Sequence, residues 1–215
     1  MNTEMLIAEL SRDLRPVPAR EPRKLLSTGL IAGGLVAGAA VLFWPSLGIR
    51  SDLGTAVMTG MFWVKLLYTG SLAVLGFRLL DHLSRPGFER VHWGRALAVP
   101  LLALAVITVL RVGATPVNGS EAFWMGSSWL QCPLYVAALA APVFVGLLWS
   151  LSRLAPTRLA EAGAAAGLVA GGTGATVYAL HCAESSPGFV LIWYSLGLAA
   201  AALAGAAIGS RLLRW

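Results

Sequence analysis

The stretch LAEAGAAAGLVAGGTGATVYAL, residues 159–180, carries a single charged side chain, Glu161, near its start. Small residues recur four positions apart in its GAAAG and GLVAG motifs, and in lipid such spacing lets a neighbouring helix backbone approach closely. A helix needs roughly 20 apolar residues to cross about 30 Å of hydrocarbon. The stretch therefore predicts a membrane-spanning helix that packs against other helices through its glycine-bearing face.

Five further stretches are as long and as apolar, and the composition agrees with a membrane protein. With 57% hydrophobic and 12% charged residues among 215, and a positive mean hydropathy, the chain has too little polar surface for a water-soluble globule. The predicted fold is all-α, a polytopic bundle of six transmembrane helices (residues 25–215) preceded by a short cytoplasmic amphipathic helix within a tail of residues 1–24. The six predicted spans are residues 25–44, 62–80, 95–112, 133–152, 159–180 and 188–209.

The basic residues predict the orientation, because Lys and Arg that flank a span are retained in the cytoplasm. Thirteen of the sixteen lie in the tail, in the second and fourth connections and at the C-terminus, whereas Arg50 and Arg111 lie opposite and Lys65 lies inside the second span. Both termini of this multi-pass membrane protein are therefore predicted to be cytoplasmic. Lys65 lies a few residues from the outer interface, where its long side chain is expected to reach water.

The two cysteines fall on the predicted outer side, Cys132 in GSSWLQCP and Cys182 in LHCAES, where His181 and Glu184 stand beside it. If the fourth and fifth spans are neighbours, the two sulfur atoms come within bonding or shared-metal range. Three interpretations stay open: a structural disulfide or inert thiols, a redox- or metal-responsive pair, and two cysteines without contact. Thiolates and imidazole suit zinc, copper(I) or a thiophilic toxic metal. No cofactor is predicted beyond such a transient metal.

The spans and connections lack the patterns that transport and catalysis use. No span has an acid near its centre, as ion-coupled transporters have, and no H-E-x-x-H, Ser/His/Asp arrangement or glycine-rich phosphate loop occurs. We therefore expect no enzymatic activity. The net charge of +6 comes from basic residues scattered at the ends of apolar stretches, so direct nucleic-acid binding is not expected either.

The N-terminal tail carries an amphipathic helix. Leu6, Leu10 and Leu14 recur four positions apart, with Met5 and Ile7 alongside. Residues 1–14 contain three acids, of which Glu9 and Asp13 are two, and a single arginine, so anionic lipid would repel the helix and a basic protein would attract it. Docking on the protein's own inner connections is the other possibility. The basic, proline-rich residues 15–24 predict an extended tether.

Five motifs together resemble the NrsF-type family of bacterial inner-membrane anti-sigma factors. They occur over nearly the whole chain, in this order: RPVPAR, MFWVKL, GSSWLQCP, APTRLAEAGAAAG and YALHCAES followed by WYSLG. The resemblance implies that the N-terminal segment holds an extracytoplasmic-function sigma factor at the lipid bilayer until envelope or metal stress releases it.

The residue pattern and the resemblance combine into one hypothesis. Residues Met5, Leu6, Ile7, Glu9, Leu10, Asp13 and Leu14 bind the sigma factor. Metal binding or a change of thiol state at Cys132 and Cys182, assisted by His181 and Glu184, shifts the fourth and fifth spans and weakens the hold of the tail. A small metal or solute transporter or channel, and a membrane assembly factor, stay open as alternatives, and the oligomeric state is undetermined.

Overall fold

The computed structural model of the protein describes residues 3–12, 18, 20–85, 93–114 and 120–214. All regular structure within these residues is helical, which confirms the all-α prediction. The helices are α1 Thr3–Arg12, α2 Glu21–Phe43, α3 Leu53–Ala56, α4 Gly60–Leu83, α5 Trp93–Val112, α6 Ser120–Met125, α7 Gln131–Leu151, α8 Leu159–Tyr178, α9 Pro187–Phe189 and α10 Ser195–Leu212, with a π-helical turn at Val190–Tyr194.

Five helical stretches of the described chain, not six, are long and apolar enough to cross a membrane. They are Glu21–Phe43, Gly60–Leu83, Arg95–Val112, Gln131–Leu151 and Pro187–Leu212. Residues 159–180, predicted as the fifth of six spans, instead form α8, which is long enough but is not among these apolar helices. The physical reason is composition: α8 is built largely of glycine and alanine, and other helices rather than solvent or lipid cover most of its surface.

α8 lies at the centre of the bundle and runs antiparallel to the helices beside it. Gly163 near its start meets Gly205 and Gly209 of α10, whereas Gly171, two turns later, meets Leu198. The same reversal relates α8 to α4 and to α7. Antiparallel neighbours place the start of one helix beside the end of the next, so the helix ends gather at two opposite ends of the bundle.

One of these ends, which we call the tail end, is defined by contacts near the start of α2. The Ser150 hydroxyl at the end of α7 donates a hydrogen bond to the Leu25 carbonyl of α2, at 2.8 Å. At the same end, Leu159 at the start of α8 lies against Gly209 near the end of α10. The start of α2 and the end of α10 therefore lie at the same end of the bundle. The opposite end, where α2 and α8 finish and α4 begins, we call the cap end.

Exposed tryptophans occupy both ends. Trp44 and Trp63 at the cap end are 52% and 54% exposed, and Trp149 near the tail end is 45% exposed. The Arg153 guanidinium lies 4.0 Å from the ring centroid of Trp149. Tryptophan is enriched where membrane proteins cross the lipid headgroup layers, so this distribution agrees with a bundle whose axis lies across a bilayer.

The predicted N-terminal helix is present as α1, and none of its residues is buried. It ends at Arg12, so Asp13 and Leu14 of the predicted binding stripe lie outside the described residues, as do positions 15–17 and 19 of the predicted tether. α2 begins at Glu21, which makes the last residues of the predicted tail part of the first long helix. The boundary at residue 24 between tail and bundle therefore falls inside α2.

The backbones of α8 and α10 approach so closely where they cross that only glycine fits there. A methyl group placed on Gly163 would lie 2.2 Å from the Gly205 carbonyl oxygen, whereas one placed on Gly34 of α2 would meet no atom within 4 Å. We expect Gly163→Ala to lower the free energy of unfolding by about 1–3 kcal/mol through overpacking. The matched control Gly34→Ala should be neutral or slightly stabilising, because alanine favours a helix over glycine.

Thermal unfolding of the detergent-purified variants measures both effects. Equal melting temperatures for Gly163→Ala and Gly34→Ala would contradict the close approach of α8 to α10.

Candidate functional site

The cap end is closed by residues 180–186, which we call the Cys182 segment and which connect α8 to α9. Its first residues bind the connection between α2 and α4: the Arg50 amide donates to the Leu180 carbonyl at 3.2 Å, and Arg50 Nη1 donates to the Cys182 carbonyl at 3.3 Å. His181 Nδ1 lies 2.8 Å from the Gly48 carbonyl oxygen. A carbonyl only accepts, so this contact requires the proton on Nδ1. The segment is thus fastened to the chain that precedes α4.

Lys65 of α4 binds the same segment from inside the bundle. Its side chain is 1% exposed, and Nζ donates to the carbonyls of Cys182, at 3.2 Å, and of Glu184, at 2.5 Å. The ammonium also lies 5.6 Å from the ring centroid of Tyr194. The expectation that Lys65 reaches water is therefore wrong. The Cys182 segment supplies two carbonyl oxygens as hydrogen-bond acceptors for the ammonium, in place of the water that an exposed lysine would contact.

The far half of the segment binds the connection between α6 and α7. One Glu184 carboxylate oxygen accepts from the Ser127 amide at 2.7 Å and from its hydroxyl at 2.6 Å. The Ser186 hydroxyl donates to the Phe123 carbonyl at 2.5 Å. Gly126 has a φ of +57°, and a methyl group there would lie 2.8 Å from the Glu184 carboxyl carbon. Both its backbone conformation and its neighbour therefore favour glycine at this position.

Arg50 and Asp52 form an ion pair at the rim. Arg50 Nε and Nη2 donate to the two carboxylate oxygens of Asp52, each at 2.6 Å. These hydrogen bonds raise the pKa of Arg50 and hold the pKa of Asp52 below its ordinary value. Among the described residues no ion pair includes Lys65. A cavity of about 150 Å³ opens between Arg50, Asp52, Lys65, Glu184 and Ser185.

Both cysteines are buried free thiols at the cap end. Cys132, in the first turn of α7, is fully buried, and Cys182 is 3% exposed. Both thiols belong to the cluster of buried residues that also contains Tyr178 and Tyr194, whose ring centroids lie 5.9 Å apart. The two predicted sensor residues therefore occupy one neighbourhood, in which they are not joined by a disulfide.

His181 and Glu184 both lie in the Cys182 segment. The His181 side chain contacts the Gly48 carbonyl, and the Glu184 carboxylate binds Ser127. In the parts of the chain that the structure describes, no three His, Cys, Asp or Glu side chains form a group that could hold a metal ion. A metal- or redox-responsive role for Cys132 and Cys182 stays a prediction.

Sequence reasoning missed the contribution of Arg50, Lys65 and Ser127. Arg50 and Lys65 did stand out, as basic residues away from the predicted cytoplasmic side, and this anomaly was the available signal. Ser127 carried none, because its partner Glu184 is distant in sequence and only the fold brings the two together.

α1 forms a second candidate surface. Leu6, Ile7 and Leu10 lie on one face at the 100° spacing of a helix, and they are 41%, 55% and 68% exposed. Glu9 borders this face on one side and Glu4 lies on the other. Met5, 64% exposed, lies beyond Glu9 rather than within the stripe. The helix therefore presents a narrow apolar face with acidic edges.

Comparison with known proteins gives consistent matches. Residues 10–215 match the protein family NrsF, described as negative regulator of sigma F. The chain is 39% identical over 216 residues to a probable anti-sigma-F factor NrsF of Azospira oryzae, which covers all of both chains. It is 40% identical over 213 residues to the anti-sigma-F factor NrsF of Caulobacter vibrioides, covering 99% of this chain and 97% of that one. No solved structure matches.

The ion pair at the rim predicts a pH dependence. In the unfolded chain the Asp52 carboxyl titrates near its ordinary pKa, about 4, and in the folded chain its pKa is lower. Its contribution to stability is therefore present above about pH 4 and is lost as the pH falls through the folded pKa. We expect Asp52→Asn to melt below the unmodified protein at neutral pH, by a difference that shrinks toward pH 3.

Thermal unfolding of both purified proteins between pH 3 and pH 7 tests this expectation. A difference that stays constant over the whole range would contradict it.

Proposed function

The chain belongs to the NrsF family of negative regulators of sigma F, and from this premise we propose that it is a membrane-bound anti-sigma factor that holds an extracytoplasmic-function sigma factor through α1. Such a protein acts by binding and release and needs no catalytic group. The observation that carries the proposal for this chain is the exposed apolar face of α1, formed by Leu6, Ile7 and Leu10.

The acidic edges of α1 favour a protein over lipid as its partner. Glu4 and Glu9 would be repelled by an anionic membrane surface, whereas a groove with basic rims would attract them. A helix of ten residues is marginal alone in water, so binding and helix stability reinforce each other. Helix-in-groove recognition uses such a stripe, with apolar anchors three and four positions apart. We include Asp13 and Leu14 in the proposed contact because they continue the same pattern in sequence.

The proposed location is the bacterial inner membrane, with the tail end facing the cytoplasm. Five apolar helices and the tryptophans at both ends support association with a bilayer. The start of α2 and the end of α10 lie at the same end of the bundle, the end where most basic residues of the chain gather. By the rule that basic flanks stay inside, α1 reaches the compartment where a sigma factor acts, and the cap end faces the periplasm.

The proposed input is a change of thiol state or metal binding at Cys132 and Cys182. Both thiols lie buried at the cap end. Metal binding there would release their protons, because cysteine binds a metal ion as the thiolate. A physical route to the tail exists in the packing: Cys132 opens α7, and α7 packs along α2, where Gly146 meets Gly29 and Ser150 binds the Leu25 carbonyl. A shift of α7 would therefore move the start of α2, and the tail is attached to this helix.

Leu10→Glu tests the binding face. A charge at a central apolar anchor should weaken sigma-factor binding about thirtyfold or more, measured as the Kd of the full-length, detergent-purified protein for a purified sigma factor that the unmodified protein binds. Ala8→Glu places the same charge on the opposite face of α1 and should change the Kd little. Equal losses from both variants, or no loss from Leu10→Glu, would contradict the proposed face.

Cys132→Ser combined with Cys182→Ser tests the input. The double variant should still hold the sigma factor, but a metal or oxidant that induces sigma-dependent transcription in cells of the parent strain should no longer do so. A reporter driven by a sigma-dependent promoter measures the response, and full induction in the double variant would remove the sensor role.

A further inference from the structure

We infer that Lys65 is a positioning residue that keeps the Cys182 segment folded over the cap end and ties it to α4. The residue reaches the segment from within the bundle, and its two hydrogen bonds go to the carbonyls of Cys182 and Glu184. These carbonyls lie on either side of Ala183, so a single side chain fixes the backbone at two points next to a proposed sensor cysteine.

The chemistry of the contact makes the link strong. Hydrogen bonds from a charged donor are about twice as strong as neutral ones, and no described carboxylate is paired with Lys65 to share its donors. A buried ammonium must keep its hydrogen-bond partners, since an unpaired buried charge is costly. The segment and Lys65 are therefore each held in place by the other.

Arg50 adds a second donor to the same atom. The Cys182 carbonyl oxygen accepts from Lys65 Nζ and from Arg50 Nη1, which occupies both of its lone pairs. The two donors differ in setting, because Arg50 shares its remaining donors with Asp52 at the rim whereas Lys65 is enclosed. Arg50 should therefore hold the segment more weakly than Lys65.

α4 is also tied to α8 one helical turn below Lys65. The hydroxyl groups of Thr69 and Thr176 lie 2.8 Å apart in a hydrogen bond between the two helices. α4 therefore has two polar contacts with this part of the chain: Thr69 contacts α8, and Lys65 contacts the Cys182 segment that follows α8. If the proposed function holds, movement of the Cys182 segment reaches α4 first through Lys65. This regulatory meaning rests on the proposed function, whereas the positioning role does not.

The test measures how fast Cys182 reacts with a maleimide in the full-length, detergent-purified protein, with modified peptides quantified by mass spectrometry. Lys65→Met keeps the length of the side chain and removes its donors, and it should raise the rate about tenfold or more as the segment opens. Lys65→Arg restores a charged donor and should bring the rate most of the way back. Thr69→Val removes a buried hydrogen bond of the same helix without touching the segment and should leave the rate near that of the parent.

Arg50→Gln removes the second donor from a partly buried position and should raise the rate by a smaller factor, about threefold. If Lys65→Met fails to fold, the rate measured for Arg50→Gln tests the inference by itself. Unchanged rates in both Lys65→Met and Arg50→Gln, or an equal rise in Thr69→Val, would overturn the inference. Because the readout involves neither a sigma factor nor membrane sidedness, a failure of the proposed function would leave this result intact.

Discussion

The structure depends on how closely the backbone of α8 approaches its neighbours. At Gly163 and Gly167 the carbonyls of α10 occupy the space that a side chain would need, and at Gly174 the backbone of α7 does the same. Close backbone contacts of this kind hold helices together in a membrane, so α8 does not need large apolar side chains to face lipid. α8 can therefore be built largely of glycine and alanine and still occupy the centre of the bundle, because α4, α7 and α10 surround it.

This central helix relates the two candidate surfaces. α8 leads directly into the Cys182 segment at the cap end, and at the tail end its first residues lie beside the end of α10 and follow the short connection from α7. α7 in turn carries the buried Cys132 in its first turn and, in its last turn, Ser150, which binds the Leu25 carbonyl near the start of α2. Two packed helices therefore run between the cysteines and the base of the tail, and no additional element is needed to connect them.

The sequence predicted much of this architecture, because local patterns determine it. The i, i+4 glycines of α8 and the leucine stripe of α1 specify helices and their packing faces without reference to the rest of the chain. Lys65 and Glu184 show where such reasoning fails. Spacing placed Lys65 near an interface, but only the folded Cys182 segment decides that it is buried, and the partner of Glu184 at Ser127 comes from another connection. The span count failed for a different reason, since the glycine- and alanine-rich composition of α8 leaves it outside the set of helices apolar enough to cross a membrane.

The central claim is that the thiols at one end of the bundle control the binding of a sigma factor at the other. The most direct measurement is the Kd of the full-length protein, reconstituted in lipid nanodiscs, for a labelled sigma factor before and after a thiophilic metal ion is added. The account predicts a Kd that rises about tenfold or more, a coupling of ordinary allosteric size, and that stays constant when both cysteines are serine. A Kd that is indifferent to the metal in the unmodified protein, or that shifts equally in the serine variant, would contradict it.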